Sequence, residues 1–386
     1  MLRVGLLGFT LENANKGCEA LTYSFLYSLS SIYKGKIKIR FYSTTELFGQ
    51  IHKFFPDMDF SFFQLSRKNI LSRLKQDFSK NCDIVFDISF GDGFSDIYNP
   101  KTAMWNTFAK IAAGLSDTPF ILLPQTYGPF ERKELKMLAA CAIKKADVVL
   151  SRDELSSAYV KEISGVSAMT VTDLAFSLPF KKKDLNSQEK KKVGINVSGL
   201  LWKGGFYRDN QFQLTVDYQM YIRSIIESLL EDKKYEIHLI PHVIENVYGS
   251  NDGDLFVNDL LAGEYEVIKA PAFRNPIETK NYIASMDVVT AARMHATVDA
   301  FSAGVPVIPF AYSRKFEGLY GSIGYSYIID GNRMNTKAAI TQTLTWIHHY
   351  ESLKTDLTSC MNTVDDKMQI FNDTLRQMLP MDQKTD

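Results

Sequence analysis

Short, nearly continuous apolar runs alternate along the chain with longer stretches in which apolar residues return every three or four positions. The first pattern marks buried strands and the second marks amphipathic helices packed on one face. Strands are expected at Leu2 to Gly8, Ile37 to Tyr42, Cys82 to Ser89, Phe120 to Pro124 and Asp147 to Leu150, with helices at Cys18 to Ser31 and Lys133 to Lys144. A further helix follows Ser151, which reads as its N-cap with Glu154 three residues on. The aromatic-rich segment up to Phe63 is less regular and reads as core packing rather than a sugar platform. KKKDLNSQEKKK, Lys181 to Lys192, carries no core residues and reads as a solvated linker.

The alternation restarts beyond this run. Val193 to Ser198, Glu236 to Pro241, Val267 to Lys269, Asp287 to Thr290 and Val305 to Pro309 are strand-like, and helical patterns lie between and after them, to about Leu379. Strands alternating with helices imply parallel sheets. The expected fold is therefore α/β, with two doubly wound Rossmann-like domains facing each other across a cleft. The boundaries are 1–182 for the first domain, 183–192 for the linker and 193–386 for the second domain with its C-terminal helices.

Composition narrows the partners. Lys plus Arg and Asp plus Glu are both 44, so no net field recruits nucleic acid or an anionic membrane, and any anion site must be local. The four cysteines are widely separated and form no CxxC pair, which argues against a zinc knuckle or a disulfide framework and suits a reducing cytoplasm. The apolar start, MLRVGLLGFT, reads as a first buried strand, and no run has the roughly 18 to 20 apolar residues of a membrane span.

In parallel α/β sheets ligands gather at the carboxyl ends of the strands. TAARMHATVDAFSAGVPVIP, Thr290 to Pro309, is a strand, helix, strand unit with Arg293 and His295 at the strand exit and Met294 at the amino end of the helix. An Arg fork holds a carboxylate or phosphate through two hydrogen bonds, the helix end favours anions, and a neighbouring His can deliver a proton. Lys315 stands at the next strand exit, His242 at the end of EIHLIP, and Ser198 and Gly199 at the end of VGINVS. In the first half, the loop FGDGFSDIYNP carries Asp92, Ser95 and Asp96, suited to sugar hydroxyls, while Gln125, Tyr127 and Arg152 occupy two further exits. Arg152 calls for a ligand anion or a neighbouring carboxylate. Asn15 to Gly17 form a pocket-lining turn with neither a P-loop nor a dinucleotide-binding pattern.

Taken in order, NKGCEAL, FGDGFSD, PQTYGPF, SRDELS, TDLAFSL, VGINVS, LIPH, ARMHATVDAFSAGVPVI and YSRK resemble the polysaccharide pyruvyl transferase family from Asn15 to Lys315. The resemblance implies a fold like that of GT-B glycosyltransferases. It also implies transfer of the pyruvyl group of phosphoenolpyruvate onto two hydroxyls of a sugar, forming a cyclic ketal, with phosphoenolpyruvate as co-substrate and neither cofactor nor metal. The sugar would belong to an oligosaccharide or a lipid-linked repeat unit of a capsule or exopolysaccharide. The enzyme would be cytoplasmic, with peripheral association at the inner membrane face through a lipid-linked acceptor.

On this reading the donor contacts are Arg293, Met294, Lys315, Ser198, Gly199 and Arg152. The catalytic candidates are His295 or His242 as proton donor and Asp92 toward the acceptor hydroxyl. The acceptor contacts are Asn15, Glu19, Asp96, Gln125 and Tyr127. The family's first glycine loop usually carries an Asp where this chain has Cys18-Glu19, and its triple glycine is FGDG here. A nucleotide-sugar glycosyltransferase would share the architecture and the anion site, and a non-catalytic glycan-binding subunit would share the architecture alone.

Overall fold

A computed structural model of the chain describes residues 1–44, 49–65, 70–97, 99–181, 190–245 and 252–380. Contacts divide it into two units, one of Met1–Glu12, Leu21–Leu174 and Asp365–Asp386, the other of Asn13–Ala20 and Ala175–Val364.

The first unit is built on β1 (Leu2–Leu7), α1 (Lys16–Ile32, of this unit from Leu21 on), β2 (Ile37–Ser43), α2 (Ile51–Phe54), β3 (Met58–Gln64), α3 (Ile70–Asn81), β4 (Ile84–Asp87), α4 (Pro100–Gly114), β5 (Phe120–Gln125), α5 (Lys133–Lys144), β6 (Val148–Ser151), α6 (Glu154–Ser164) and β7 (Met169–Thr170). Its seven strands are all parallel in the order β3-β2-β1-β4-β5-β6-β7. Strands β4 and β5 are buried along their whole length, as apolar runs covered on both faces should be. The core joins Leu7, Val85, Phe120 and Leu122 from the sheet to Phe78, Ala112, Ala139 and Ile143 from the helices.

Some local features differ from expectation, helix α3 among them. The aromatic-rich segment contains a regular strand, β3, whose Phe60 and Phe63 pack on Phe41 and Tyr42 of β2, which is core packing as expected. Helix α4, which the sequence pattern did not mark, starts at Pro100 because Asn99 accepts hydrogen bonds from the amides of Lys101 and Thr102. Helix α6 is capped by Asp153, which accepts from Ser156 N at 2.7 Å, rather than by Ser151, the last residue of β6.

The second unit contains β8 (Lys191–Asn196), α7 (Gly199–Trp202), α8 (Tyr218–Glu231), β9 (Tyr235–Leu239), α9 (Leu255–Glu264), β10 (Ile268–Lys269), α10 (Pro276–Ile283), β11 (Val288–Ala291), α11 (Met294–Ser302), β12 (Val307–Ala311), α12 (Arg314–Ile323), β13 (Ile329–Asp330), α13 (Thr336–His348) and the first half of α14 (Tyr350–Met378), which belongs to the first unit from Asp365 on. Its six strands are parallel in the order β10-β9-β8-β11-β12-β13. Of the expected linker, residues 183–189 lie outside the described residues, and Lys191 and Lys192 belong to strand β8.

Each sheet follows the doubly wound order in which the first strand lies beside the fourth, and the crevice at that switch point is where such sheets take ligands. In the first unit the switch falls between β1 and β4, in the second between β8 and β11, where Ala291 is in register with Asn196. Among the described residues no helix is long and apolar enough to cross a membrane.

Candidate active site at the second switch point

The carboxyl edge of the second sheet gathers most of the expected donor-side residues around one buried carboxylate. Asp254, just before α9, is fully buried. It accepts hydrogen bonds from the backbone amides of Gly199 (3.0 Å), His242 (2.9 Å) and Val243 (2.9 Å) and from the Asn196 side-chain amide (3.3 Å). Asn196 in turn accepts from the backbone amide of Arg293 at 2.9 Å. The exits of β8, β9 and β11 are thus tied to a single group. Burying a carboxylate is costly unless charge and hydrogen bonds compensate, and here both do.

The compensating charge is Arg293. Its guanidinium donates to Asp254 Oδ1 from Nε (3.1 Å) and Nη2 (2.7 Å), to Asp252 Oδ1 from Nη1 (2.6 Å), and to the Asp252 carbonyl from Nη2. Desolvation works against the charged form, but Asp254 and Asp252 outweigh it and hold the Arg293 pKa above its ordinary value. This corrects the expectation of an open anion fork. Arg293 is 7% exposed and its donors point at carboxylates, so it orders the loop before α9 and the start of α11. Ser198 and Gly199 are likewise structural. The Ser198 hydroxyl caps Leu201 N, and a Cβ at Gly199 would lie 1.8 Å from the Gly253 carbonyl oxygen.

Helix α11 carries the chemistry. Met294 is its first residue and is buried, so the helix offers its terminal amides rather than this side chain. His295 follows and is half-buried. One helical turn on, Asp299 is fully buried and lies 3.2 Å from His242 Nε2 through Oδ2, so His242 is held from the same helix that presents His295. His242 is 1% exposed and its Nδ1 makes no hydrogen bond, a placement that suits an anchoring residue better than the proton donor considered from sequence. At the next exit Arg314 and Lys315, both half-buried, open α12, where the helix dipole favours anions rather than cations. Lys315 Nζ lies 5.5 Å from the centroid of the Tyr312 ring.

The Asn15 turn also belongs to this unit. Asn15 forms an antiparallel bridge with Val243, Lys16 N donates to the His242 carbonyl at 3.0 Å, and Ile244 N donates to the Ala14 carbonyl at 2.7 Å. Asn15 and Glu19, expected as acceptor contacts of the first domain, therefore stand beside the histidines of the second. Glu19 is buried and paired with Lys16 at 2.8 Å.

In the first unit the expected contacts are mostly core. Tyr127 is fully buried with its hydroxyl donating to the Leu150 carbonyl (2.9 Å), and burial pushes its pKa well up. Gln125 is fully buried, with Nε2 directed at Asp87 Oδ1 (3.3 Å). Asp96 accepts from the amides of Glu131 (2.9 Å) and Arg132 (3.0 Å). These three side chains, expected as acceptor contacts, have hydrogen-bond partners within the first unit. Arg152 is 1% exposed and pairs with Asp173 at 2.9 Å, the neighbouring-carboxylate alternative foreseen for it, yet its Nε and Nη2 make no hydrogen bond. Asp92 is half-buried beside Ser89 and Phe90, two non-glycine residues held left-handed at φ 44° and 57°. A buried pair that sequence did not flag, Lys110 and Asp87 at 3.1 Å, closes the first switch point.

The second unit holds another buried lysine. Lys280 on α10 donates to the carbonyls of Leu178 (2.7 Å) and Phe176 (3.4 Å). Burial pushes its pKa down to about 8, opposed by the Asp299 carboxylate. The unfolded chain keeps this proton up to the ordinary value of 10.5, whereas the folded chain releases it at about 8. Unfolding takes up a proton in that window, so stability rises with pH from about 8 to 10.5, by on the order of 3 kcal/mol. Urea midpoints of the wild type and Lys280→Met between pH 7 and 10 are expected to diverge, the wild type gaining as pH rises; parallel curves would refute this assignment.

Among the described residues no three His, Cys, Asp or Glu side chains gather as a metal site requires. The model of the polysaccharide pyruvyl transferase family matches residues 15–314, a span that includes the Asn15 turn, both histidines and the start of α12. The chain belongs to the polysaccharide pyruvyl transferase family. No curated protein sequence matches it. Among solved structures it is similar to MnaA of S. aureus, solved with UDP, at 12% identity and a TM-score of 0.62, covering 97% of this chain and 96% of that one. It is also similar to the UDP-GlcNAc 2-epimerase of Methanocaldococcus jannaschii, at 10% identity and a TM-score of 0.53, covering 89% and 92%. At such identities the likeness shows the fold, two Rossmann-like α/β units of the GT-B kind.

Proposed function

We propose that this family member moves the pyruvyl group of phosphoenolpyruvate onto two hydroxyls of one sugar in a cell-surface polysaccharide or its lipid-linked precursor, releasing phosphate and leaving a cyclic ketal. The observation that carries the reading is His295 in the first turn of α11 at the second switch point, inside the span the family model matches. The donor has a carboxylate and a phosphate. Because Arg293 is spent on Asp252 and Asp254, we assign its anionic groups to the first-turn amides of α11 and to Arg314 and Lys315 of α12.

Two C–O bonds form at the donor's C2 and the bond from C2 to the phosphate oxygen breaks. One hydroxyl proton is matched by the proton gained at C3, which becomes a methyl group, and the other is balanced on departing phosphate. His295 is the group we assign to protonating C3, since a protonated imidazole can act as a general acid from this position. Asp92, half-buried in the glycine-rich loop that follows β4, is the carboxylate we propose for the acceptor hydroxyl.

Donor choice tests the proposal. Phosphoenolpyruvate is expected to raise the melting temperature, whereas UDP-sugars leave it unchanged; stabilisation by a nucleotide sugar alone would identify a glycosyltransferase instead.

A further inference from the structure

We propose that the Asn13–Glu19 segment is a clamp that sets the orientation of the His295 ring, with Gly17 as the positioning residue and Asp299 and His242 as its anchor. The inference rests on the role given to His295 above. Its evidence is a closed circuit of contacts that leaves α11 and returns to it within the second unit.

The circuit begins at Asp299, fully buried, whose Oδ2 lies 3.2 Å from His242 Nε2. The His242 carbonyl accepts from Lys16 N at 3.0 Å. The next residue, Gly17, returns to α11. A Cβ built on Gly17 would lie 2.2 Å from His295 Nδ1, 2.5 Å from Cγ and 2.6 Å from Cβ. Such separations are far inside van der Waals contact, so Gly17 abuts the His295 side chain and a residue with a Cβ would collide with it unless one of the two moved.

The turn is itself restrained. Asn15 accepts from Gly17 N at 3.0 Å and Asn13 accepts from Asn15 N at 2.8 Å, local bonds that fold the segment. The Asn15 and Val243 bridge and the Ile244 N to Ala14 bond pair it with the chain that follows His242. Lys16, 5% exposed, is bound to Glu19 at 2.8 Å and to the Arg274 carbonyl at 3.3 Å, which fixes the first turn of α1. A segment built this firmly does not yield to the ring; the ring yields to it. Since proton delivery depends on the imidazole being held within a fraction of an ångström of its productive place, the clamp converts backbone geometry into rate.

The test compares Gly17→Ala, Asp299→Ala and Asp299→Asn in the full chain. Two readouts are used: the His295 imidazole cross-peaks in 1H–13C spectra, assigned by their loss in His295→Ala, and phosphate release from phosphoenolpyruvate with acceptor. Gly17→Ala is expected to move the His295 cross-peaks and lower kcat at least about tenfold with KM for phosphoenolpyruvate little changed. Asp299→Ala should move the same peaks, and Asp299→Asn, which keeps an acceptor for His242 Nε2, should restore much of the wild-type position and rate. If Gly17→Ala does not fold, the Asp299 pair decides through the same readouts. Unchanged His295 peaks and unchanged turnover in folded Gly17→Ala, or equal behaviour of Asp299→Ala and Asp299→Asn, would overturn the clamp. If the wild type turns over no phosphoenolpyruvate, the functional reading fails, while the cross-peaks still decide whether Gly17 orients the ring.

Discussion

His295→Ala is expected to lower pyruvyl transfer by about 10²- to 10⁴-fold, the usual contribution of a general acid, while leaving the protein folded. His295 is half-buried in the first turn of α11, so its removal opens little of the core, whereas the buried Asp254 to Arg293 framework beside it stays intact. The expected signature is a fall in kcat with the phosphoenolpyruvate-induced rise in melting temperature largely preserved, because the anionic groups are assigned to the amides of α11 and to α12. A variant that turns over at the wild-type rate would remove His295 from the chemistry. One that loses donor stabilisation while keeping kcat at saturation would make it a binding residue instead.

The largest loss of stability is expected from Asp254→Ala. That change strips the amides of Gly199, His242 and Val243 of their acceptor and leaves Arg293 buried beside Asp252 alone. Removing one partner of a buried ion pair costs about 3 to 5 kcal/mol, and the orphaned amides add to it. Urea denaturation should show a midpoint shift of that size. Asp252→Ala should cost much less, since the Asp252 side chain is 31% exposed and its backbone carbonyl remains in place. Equal effects from the two variants would contradict the hub role given to Asp254.

Much of the fold could be read from the sequence because parallel strands buried on both faces leave compact apolar runs. The runs at Cys82 to Ser89, Val193 to Ser198 and Asp287 to Thr290 contain β4, β8 and most of β11. Strand β3 was harder, because its MDFSFFQ pattern pairs with only one neighbour at the sheet edge and alternates irregularly. Helix α4 follows a loop rich in glycine and aspartate, and only the Asn99-Pro100 pair marks its start.

The candidate site was legible as a place but not as a set of roles. Strand exits marked Arg293, His295, His242 and Ser198, and the structure brings them to one sheet edge. What an arginine faces is a long-range matter. Arg293 meets Asp252 and Asp254 from 41 and 39 residues away, and no local pattern distinguishes that pairing from an open fork. The same holds for Gln125, Tyr127 and Asp96, whose loop location suggested ligand contact and whose burial gives them internal partners. Asp299 offered a usable signal, an acidic residue one turn after His295 on the same helix, and Gly17 offered another, a glycine in the first turn of a helix.

The most direct test of the central claim is incubation of the full-length protein with phosphoenolpyruvate and a panel of free and lipid-linked oligosaccharides, following phosphate release and product mass together. The account predicts phosphate release that depends on acceptor, matched one to one by a product carrying a pyruvyl ketal. Glycosyl transfer from a nucleotide sugar with no reaction of phosphoenolpyruvate across the panel would contradict it.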